Sequence, residues 1–368
     1  MKLAILKEIK KGERRVSITP NIVKSLKEKG FDCLVEKDAG LAAQFKNSDY
    51  EEAGAEIKNT NEIYKEGDLL IKINPLQDEE IEKLKKGQII ISKLYHLSSP
   101  ELVEKLAAKE VTAFSMDAMP RISRAQDMDV LSSQNNLAGY KAVILGAYEM
   151  TKIFPLMMTA AGTITPSRVL IFGIGVAGLQ AIATAKRLGA VVEATDIRME
   201  TKEQAESLGA KFITVEVEGE DYEGVYATET SEEYKQKQKE AVEASLFKAD
   251  LVILTAQVPG RKAPVLITKE QVDKMKNGAV IVDLAAGQGG NCEYSKLNKT
   301  VDVNGVKVIG TIMSPESVST NASELFAKNI YNFLVHLTDE NGFKWEMEEE
   351  ITDGTLIVHE GKNRKPIN

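Results

Sequence analysis

Three glycines and an acid are the residues whose spacing most plainly points to chemistry. Gly173, Gly175 and Gly178 stand at GxGxxG spacing in GIGVAG, and Asp196 follows in VVEATDIR. Gly173 permits a tight turn. Gly175 has no side chain to block a pyrophosphate approaching the backbone, and Gly178 lets the next helix sit close to the strand before it. That helix, expected over Leu179–Leu188, would aim its free N–H groups and positive dipole end at the phosphates. Asp196, at the tip of the second strand, is placed to take both ribose hydroxyls of an adenosine. A 2′-phosphate would be repelled there, so NAD(H) is favoured over NADP(H). Arg198 tempers this, because an Arg can receive such a phosphate. A lone GxGxxG is weak evidence, but here the β-branched run Arg168–Phe172, the glycines, the helix and the acid are in register. The competing reading is a glycine turn in an ordinary α/β core.

A second polar group is Pro120–Asn136, PRISRAQDMDVLSSQNN, with Arg121, Arg124, Gln126, Asp127, Asp129, Ser132 and Gln134. By position it falls where two domains should meet, and clefts between domains favour ligands. The plainer reading is a solvated loop in which Ser132 or Ser133 caps the following helix. Asp283 reads as a turn or capping acid, and Tyr234–Glu243 as a solvated helix face with i,i+4 pairs. Cys33 and Cys292 are the two cysteines, far apart, so neither a disulfide framework nor a metal motif is suggested.

The elements that must position these residues alternate. The 368 residues suggest two domains. Strands are expected at Lys2–Leu6, Asp32–Glu36, Leu69–Ile73, Ile89–Ser92 and Val111–Phe114, with helices at Pro20–Lys29, Glu79–Lys86 and Pro100–Lys109. A long helix from Ser132 to about Phe154 joins this half to the nucleotide fold, whose later strands are Lys211–Val215, Asp250–Thr255, Ala279–Leu284 and Val306–Ile309. The acidic stretch Val217–Glu233 is too long for an ordinary connection and reads as a lid or a disordered insertion. After about Asn321 one more helix, Ala322–Leu337, is expected to pack on the first domain. The expected fold is α/β: two doubly wound Rossmann-like domains joined by a long helix, residues 1–136 with 321–368, and residues 137–320. A net charge of −8 argues against nucleic acid. The apolar run Leu3–Leu6 is too short for a signal peptide, and Ala138–Gly162 carries Lys141, Glu149 and Lys152, so a soluble cytoplasmic chain is expected.

The segments SRAQDMDVLSSQNNLAGYKAVILGAYE, FPLMMTAAGTITPSRVLIFGIGVAGLQAIATAKRLGAVVEATDIR and PGRKAPVLITKEQVDKMKNGAVIVDLAAGQGGN closely resemble the NAD(H)-binding components of proton-translocating nicotinamide nucleotide transhydrogenases. The similarity runs along nearly the whole chain and is strongest from Pro120 to Asn291. Alanine dehydrogenase shares the fold, and KEIKKGERRVSITP resembles both. The resemblance implies that a loop beginning at Arg121 closes over the nicotinamide end of NAD(H), with Arg121, Asp129 and Ser132 orienting the carboxamide and Gln126 reaching toward NADP(H) on a partner subunit. It places adenosine contacts on Ile174–Val176 (Ile174, Gly175, Val176) and Asp196–Arg198 (Asp196, Ile197, Arg198). A mobile loop falls around Gly224–Tyr226 (Gly224, Tyr226), with Gln238 and Gln257 as nucleotide neighbours; Gln257 departs from the apolar residue often found there. It further implies a homodimer formed through the hairpin Thr159–Pro166. The membrane-embedded and NADP(H)-binding subunits would be separate polypeptides, attaching this chain peripherally to the inner membrane from the cytoplasm.

The two relatives separate on chemistry. Alanine oxidation releases protons and needs a general acid/base and cations for a carboxylate. Alanine dehydrogenases carry an Arg, a Lys and a His for this, and Arg15, Lys72 and His96 stand at the matching places. They also carry an acid where this chain has Gly287. Hydride transfer between two nicotinamides moves no separate proton and needs ring alignment and exclusion of water. Gly287 and the Arg121–Gln126–Asp129 loop therefore favour transhydrogenation; His96 cuts the other way but reads as an inherited or packing histidine, and Lys72 and Arg15 as cleft-lining vestiges of the same ancestry. A catalytically silent NAD-binding module is the third expectation.

Overall fold

The structure, a computed structural model, describes residues 1–215, 232–258, 261–310, 315–340 and 342–366. Its contacts divide the chain into two compact units, Met1–Gln134 with Pro315–Asn368, and Asn135–Ser314.

In the first unit the apolar runs of the N-terminal half form a parallel sheet with both faces covered. The strand order is Lys362–Asn363, Leu356–His359, Thr112–Ser115, Ile89–Ser92, Leu69–Ile71, Lys2–Ile5, Asp32–Glu36, Glu56–Lys58. The pleat sends Leu3 and Ile5 into one core and Ala4 and Leu6 into the other, so the strands read as continuous apolar runs. The strand order reverses between Lys2–Ile5 and Leu69–Ile71, a topological switch point. Helix Ser319–Leu337 lays Phe326, Ile330, Phe333 and Leu334, each fully buried, against the Leu3/Ile5 face.

Three expectations for this unit need correction. The chain beyond Asn321 holds more than one helix: a second, Glu350–Thr355, precedes Leu356–His359, which pairs antiparallel with Thr112–Ser115. A four-residue strand has too few positions for its period to be read. The helix expected over Glu79–Lys86 is the single turn Asp78–Ile81, because the Gln88 side chain, not a helical carbonyl, accepts the Lys85 N–H. Helices Asn47–Glu52 and Thr60–Glu66 and strand Glu56–Lys58 went unread; the second of those helices starts at a capping box, Asn59 with Glu62.

The second unit has the strand order Lys211–Phe212, Val191–Thr195, Arg168–Phe172, Leu251–Leu254, Val280–Asp283, Val306–Ile309, Thr300–Val303, parallel except for the last. Its switch point lies between Arg168–Phe172 and Leu251–Leu254, at whose carboxyl ends the glycine loop begins. Both units are thus doubly wound, as the sequence predicts. The long helix runs Val130–Glu149, beginning earlier and ending sooner than expected. It stops short of Phe154 because the carbonyls of Ile153 and Phe154 accept from Ser167, and Pro155 holds Phe154 out of the helical region. The lid expected over Val217–Glu233, with Gly224 and Tyr226, lies outside the described residues apart from Glu232 and Glu233, which open helix Glu232–Leu246.

Candidate functional site

The glycine loop is tight where its neighbours demand it and open where a ligand would come. Gly173 has φ +89°, and a Cβ there would fall 2.6 Å from Thr255 Oγ1. A Cβ on Gly178 would lie 1.9 Å from the Gly173 carbonyl, whereas one on Gly175 would meet nothing within 4 Å. Gly175 is also the N-cap of helix Val176–Arg187, which begins one turn earlier than predicted and has no side-chain cap. The first-turn N–H groups therefore face outward beside open space, an arrangement suited to a phosphate. Thr255 donates to the carbonyls of Phe172 and Gly173 and holds the loop from the neighbouring strand end.

Asp196 sits beside this loop. Its Oδ2 accepts from the Ile174 N–H at 2.6 Å, and its Oδ1 accepts from the Arg198 N–H at 2.9 Å. The Arg198 guanidinium clasps the same carboxylate, Nε at 3.0 Å from Oδ1 and Nη2 at 3.0 Å from Oδ2. Burial would raise the Asp196 carboxyl, but the hydrogen bonds from Arg198 and Ile174 outweigh it and hold the group below the usual carboxylate range. Val176 and Ile197 are exposed, while Ile174 is buried. Gln238 donates to the Ile213 carbonyl, and its buried Oε1 has no partner among the described residues. Gln257 is exposed and donates to the Leu284 carbonyl. Asp283 is a turn acid, accepting from the N–H groups of Ala285, Asn291 and Cys292 and from the Ser295 hydroxyl.

The polar loop belongs to the first unit. After Pro120 it forms the 3₁₀ turn Ser123–Met128. Arg121 and Gln126 are exposed, and neither side chain has a hydrogen bond or ion pair among the described residues. Asp129 caps the long helix: its Oδ1 accepts from the N–H groups of Leu131 and Ser132, and its Oδ2 from the Ser132 hydroxyl at 2.6 Å. The cap the sequence assigns to Ser132 or Ser133 is therefore Asp129 instead, since its carboxylate reaches two free N–H groups at once. Of the predicted loop residues, the structure joins Asp129 to Ser132 and leaves Arg121 and Gln126 open.

The switch point of the first unit holds a polar cluster with its own pairing. Arg15, nearly buried, donates to Glu13 through Nε and Nη2, to Gln134 at 2.9 Å and to Glu316 at 3.3 Å. Burial alone would raise the Glu13 carboxyl, yet the bonds and charge of Arg15 bring it down to about 2. Lys72 is bound by both oxygens of buried Glu80. Asn74 donates to Glu8 and Glu13, and burial pushes the Glu8 carboxyl up. The His96 Nδ1 is buried with no partner among the described residues, and burial lowers the pKa of the ring. Gly287 is exposed within the turn Ala286–Gln288. Sequence reasoning set Arg15 and Lys72 at the places of the alanine dehydrogenase cations, as vestiges lining a cleft, and missed Glu13 and Glu80; the sequence signal was an acid two positions before Arg15.

Residues 4–138 match the family model described as "Alanine dehydrogenase/PNT, N-terminal domain", and residues 142–366 its C-terminal domain. The chain is 50% identical to the first part of NAD(P) transhydrogenase subunit alpha of Rhodospirillum rubrum, over 98% of this chain and 97% of that one. A solved structure of transhydrogenase from Sinorhizobium meliloti is similar with a TM-score of 0.91 at 42% identity, covering 99% of this chain and 100% of the other. Alanine dehydrogenase 1 of Staphylococcus aureus is 31% identical, over 97% and 91%.

Proposed function

The chain belongs to the alanine dehydrogenase/PNT family, and we propose that it is the NAD(H)-binding subunit of a proton-translocating NAD(P) transhydrogenase. Bound NADH supplies a hydride that is passed to NADP+ on a partner subunit, with no proton left over. The residues of the second unit fit such a dinucleotide. The open space at Gly175 and the uncapped start of helix Val176–Arg187 receive the pyrophosphate. Asp196 receives the ribose, the half-exposed Arg198 guanidinium being the partner that gives way. Ile197, Gln238 and Gln257 border the adenosine. Arg121, Asp129 and Ser132 orient the nicotinamide end, and Gln126 reaches the second nucleotide.

The observation that carries the choice of acceptor is the pairing of Arg15 with Glu13 and of Lys72 with Glu80. A metabolite carboxylate would have to displace a buried carboxylate of the chain itself from each cation, at a cost of several kcal/mol per broken buried pair (roughly 3–5). A second nucleotide asks nothing of these residues. The His96 Nδ1, which has no partner among the described residues, is the feature that favours amino-acid oxidation.

Further aspects of the reading are dimerisation through the hairpin Met157–Thr159 with Gly162–Ile164, a cytoplasmic position, and attachment to the inner membrane through partner subunits. Among the described residues no helix is long and apolar enough to cross a membrane. Proton movement then depends on coupled binding changes in the assembly. The test is stopped-flow mixing of NADH-loaded chain with an NADP+-loaded partner subunit. Rapid formation of NADPH is expected. Reduction of NAD+ by L-alanine with the chain alone would overturn the proposal, and tight NADH binding without hydride exchange would mark a silent module.

A further inference from the structure

The loop that carries Arg121, Gln126 and Asp129 is held from a helix almost two hundred residues further along the chain. Asn329, nearly buried on helix Ser319–Leu337, donates its Nδ2 to the Asp127 carbonyl at 2.7 Å. Its Oδ1 accepts from the Ser133 hydroxyl, also at 2.7 Å. One amide therefore pins both ends of the stretch 127–133, which contains Asp129 and Ser132 and begins one residue after Gln126. The amide orientation follows from this, because a flip would set oxygen against the Asp127 carbonyl oxygen. Asn332, one turn closer to the helix end, donates to the same carbonyl at 3.0 Å. The neighbours of Asn329 on the helix, Phe326, Ile330 and Phe333, are fully buried in the core, so the platform is rigid. Arg124 gives the loop one more tie, an ion pair at 3.1 Å to Glu349.

We propose that Asn329, assisted by Asn332, is a positioning residue for hydride transfer: it sets the backbone from which Gln126 and Asp129 project and touches no nucleotide itself. The proposal rests on the transhydrogenase reading above. Alignment of two reacting groups tolerates little displacement, and a shift of about 1 Å costs on the order of a hundredfold in rate.

The deciding variant is Asn329→Asp, which keeps the size and the acceptor for Ser133 but sets a carboxylate oxygen against the Asp127 carbonyl. With an NADP+-loaded partner, kcat is expected to fall roughly ten- to hundredfold, while the NADH dissociation constant stays within about twofold, since the pyrophosphate and ribose contacts lie elsewhere. In a second arm, without nucleotide, trypsin is expected to cut after Arg121 and Arg124 several times faster than in the parent protein. An unchanged kcat in the folded variant, or NADH affinity falling in step with the rate, overturns the proposal. Should Asn329→Asp fail to fold, half-buried Asn332→Asp carries the test, with a smaller rate loss and faster cleavage expected; no change in either overturns it. If the parent protein transfers no hydride, the underlying reading fails, and the trypsin arm still decides whether Asn329 holds the loop.

Discussion

Gly175 and Gly178 are separated by two residues and differ in what a methyl group would meet. At Gly178 it would strike the Gly173 carbonyl at 1.9 Å, and at Gly175 it would enter open space. Gly178→Ala is therefore expected to lower the melting temperature sharply. Gly175→Ala should melt like the parent protein and lose NADH binding, as read by nucleotide fluorescence; retained affinity would show that the pyrophosphate lies elsewhere. Arg15 gives a prediction with a pH sign. The Glu13 carboxyl sits at about 2 in the folded protein against an ordinary 4.5, so its contribution to stability is complete above 4.5 and is lost as pH falls toward 2. In Arg15→Met the bonds and charge of the guanidinium are gone, and burial is opposed only by the Asn74 amide and the backbone N–H groups. The carboxyl therefore rises, and the variant lacks the stability that the parent protein gains as pH rises. Urea midpoints should show a gap between parent and variant that is wider at pH 7 than at pH 4, reaching about 3–5 kcal/mol. A gap that narrows with pH would show that Glu13 is not the partner of consequence. The glycines were legible in the sequence because their constraint is local. The Arg15–Glu13 and Arg198–Asp196 pairs were not, because a side chain's partner depends on what the packed surroundings leave it.

Among the elements, the long helix Val130–Glu149 shows how one residue can serve packing and chemistry at once. Asp129 caps its first turn, and the reading of function also places Asp129 at the nicotinamide. The two roles separate experimentally because Asn caps a helix about as well as Asp. Asp129→Ala is expected to cost about 1 kcal/mol of stability in chemical denaturation. Asp129→Asn should keep that stability while slowing hydride transfer; an unaffected rate in the Asn variant would leave Asp129 a cap and nothing more. The existence of this helix was readable from its Ala- and Leu-rich run. Its ends were not, since the start is decided by a side chain before the apolar run and the stop by Ser167 drawing the carbonyls of Ile153 and Phe154 into a turn.

For the whole molecule, the hairpin Met157–Thr159 and Gly162–Ile164 projects side chains that no described residue covers. Met158 is 76% exposed, and Leu156, Met157 and Ile164 are also exposed. The dimer proposed above would bury these apolar residues. The chain is expected to run as a dimer in light scattering at micromolar concentration, and Met158→Asp as a monomer whose far-UV circular dichroism matches that of the parent protein. A monomeric parent protein would remove the hairpin from the assembly. The sequence by itself determined the two doubly wound units, the dinucleotide loop and the family resemblance, because strand runs, helix periods and glycine turns are written within a few neighbouring residues. Only the tertiary structure decided which charges neutralise one another and which residues hold the loop. Lys72 meets Glu80, Arg15 meets Glu13 and Gln134, and Asp127 meets Asn329 across 202 positions of sequence. Those outcomes come from desolvation, which makes each buried polar group take whichever partner the folded chain brings within reach.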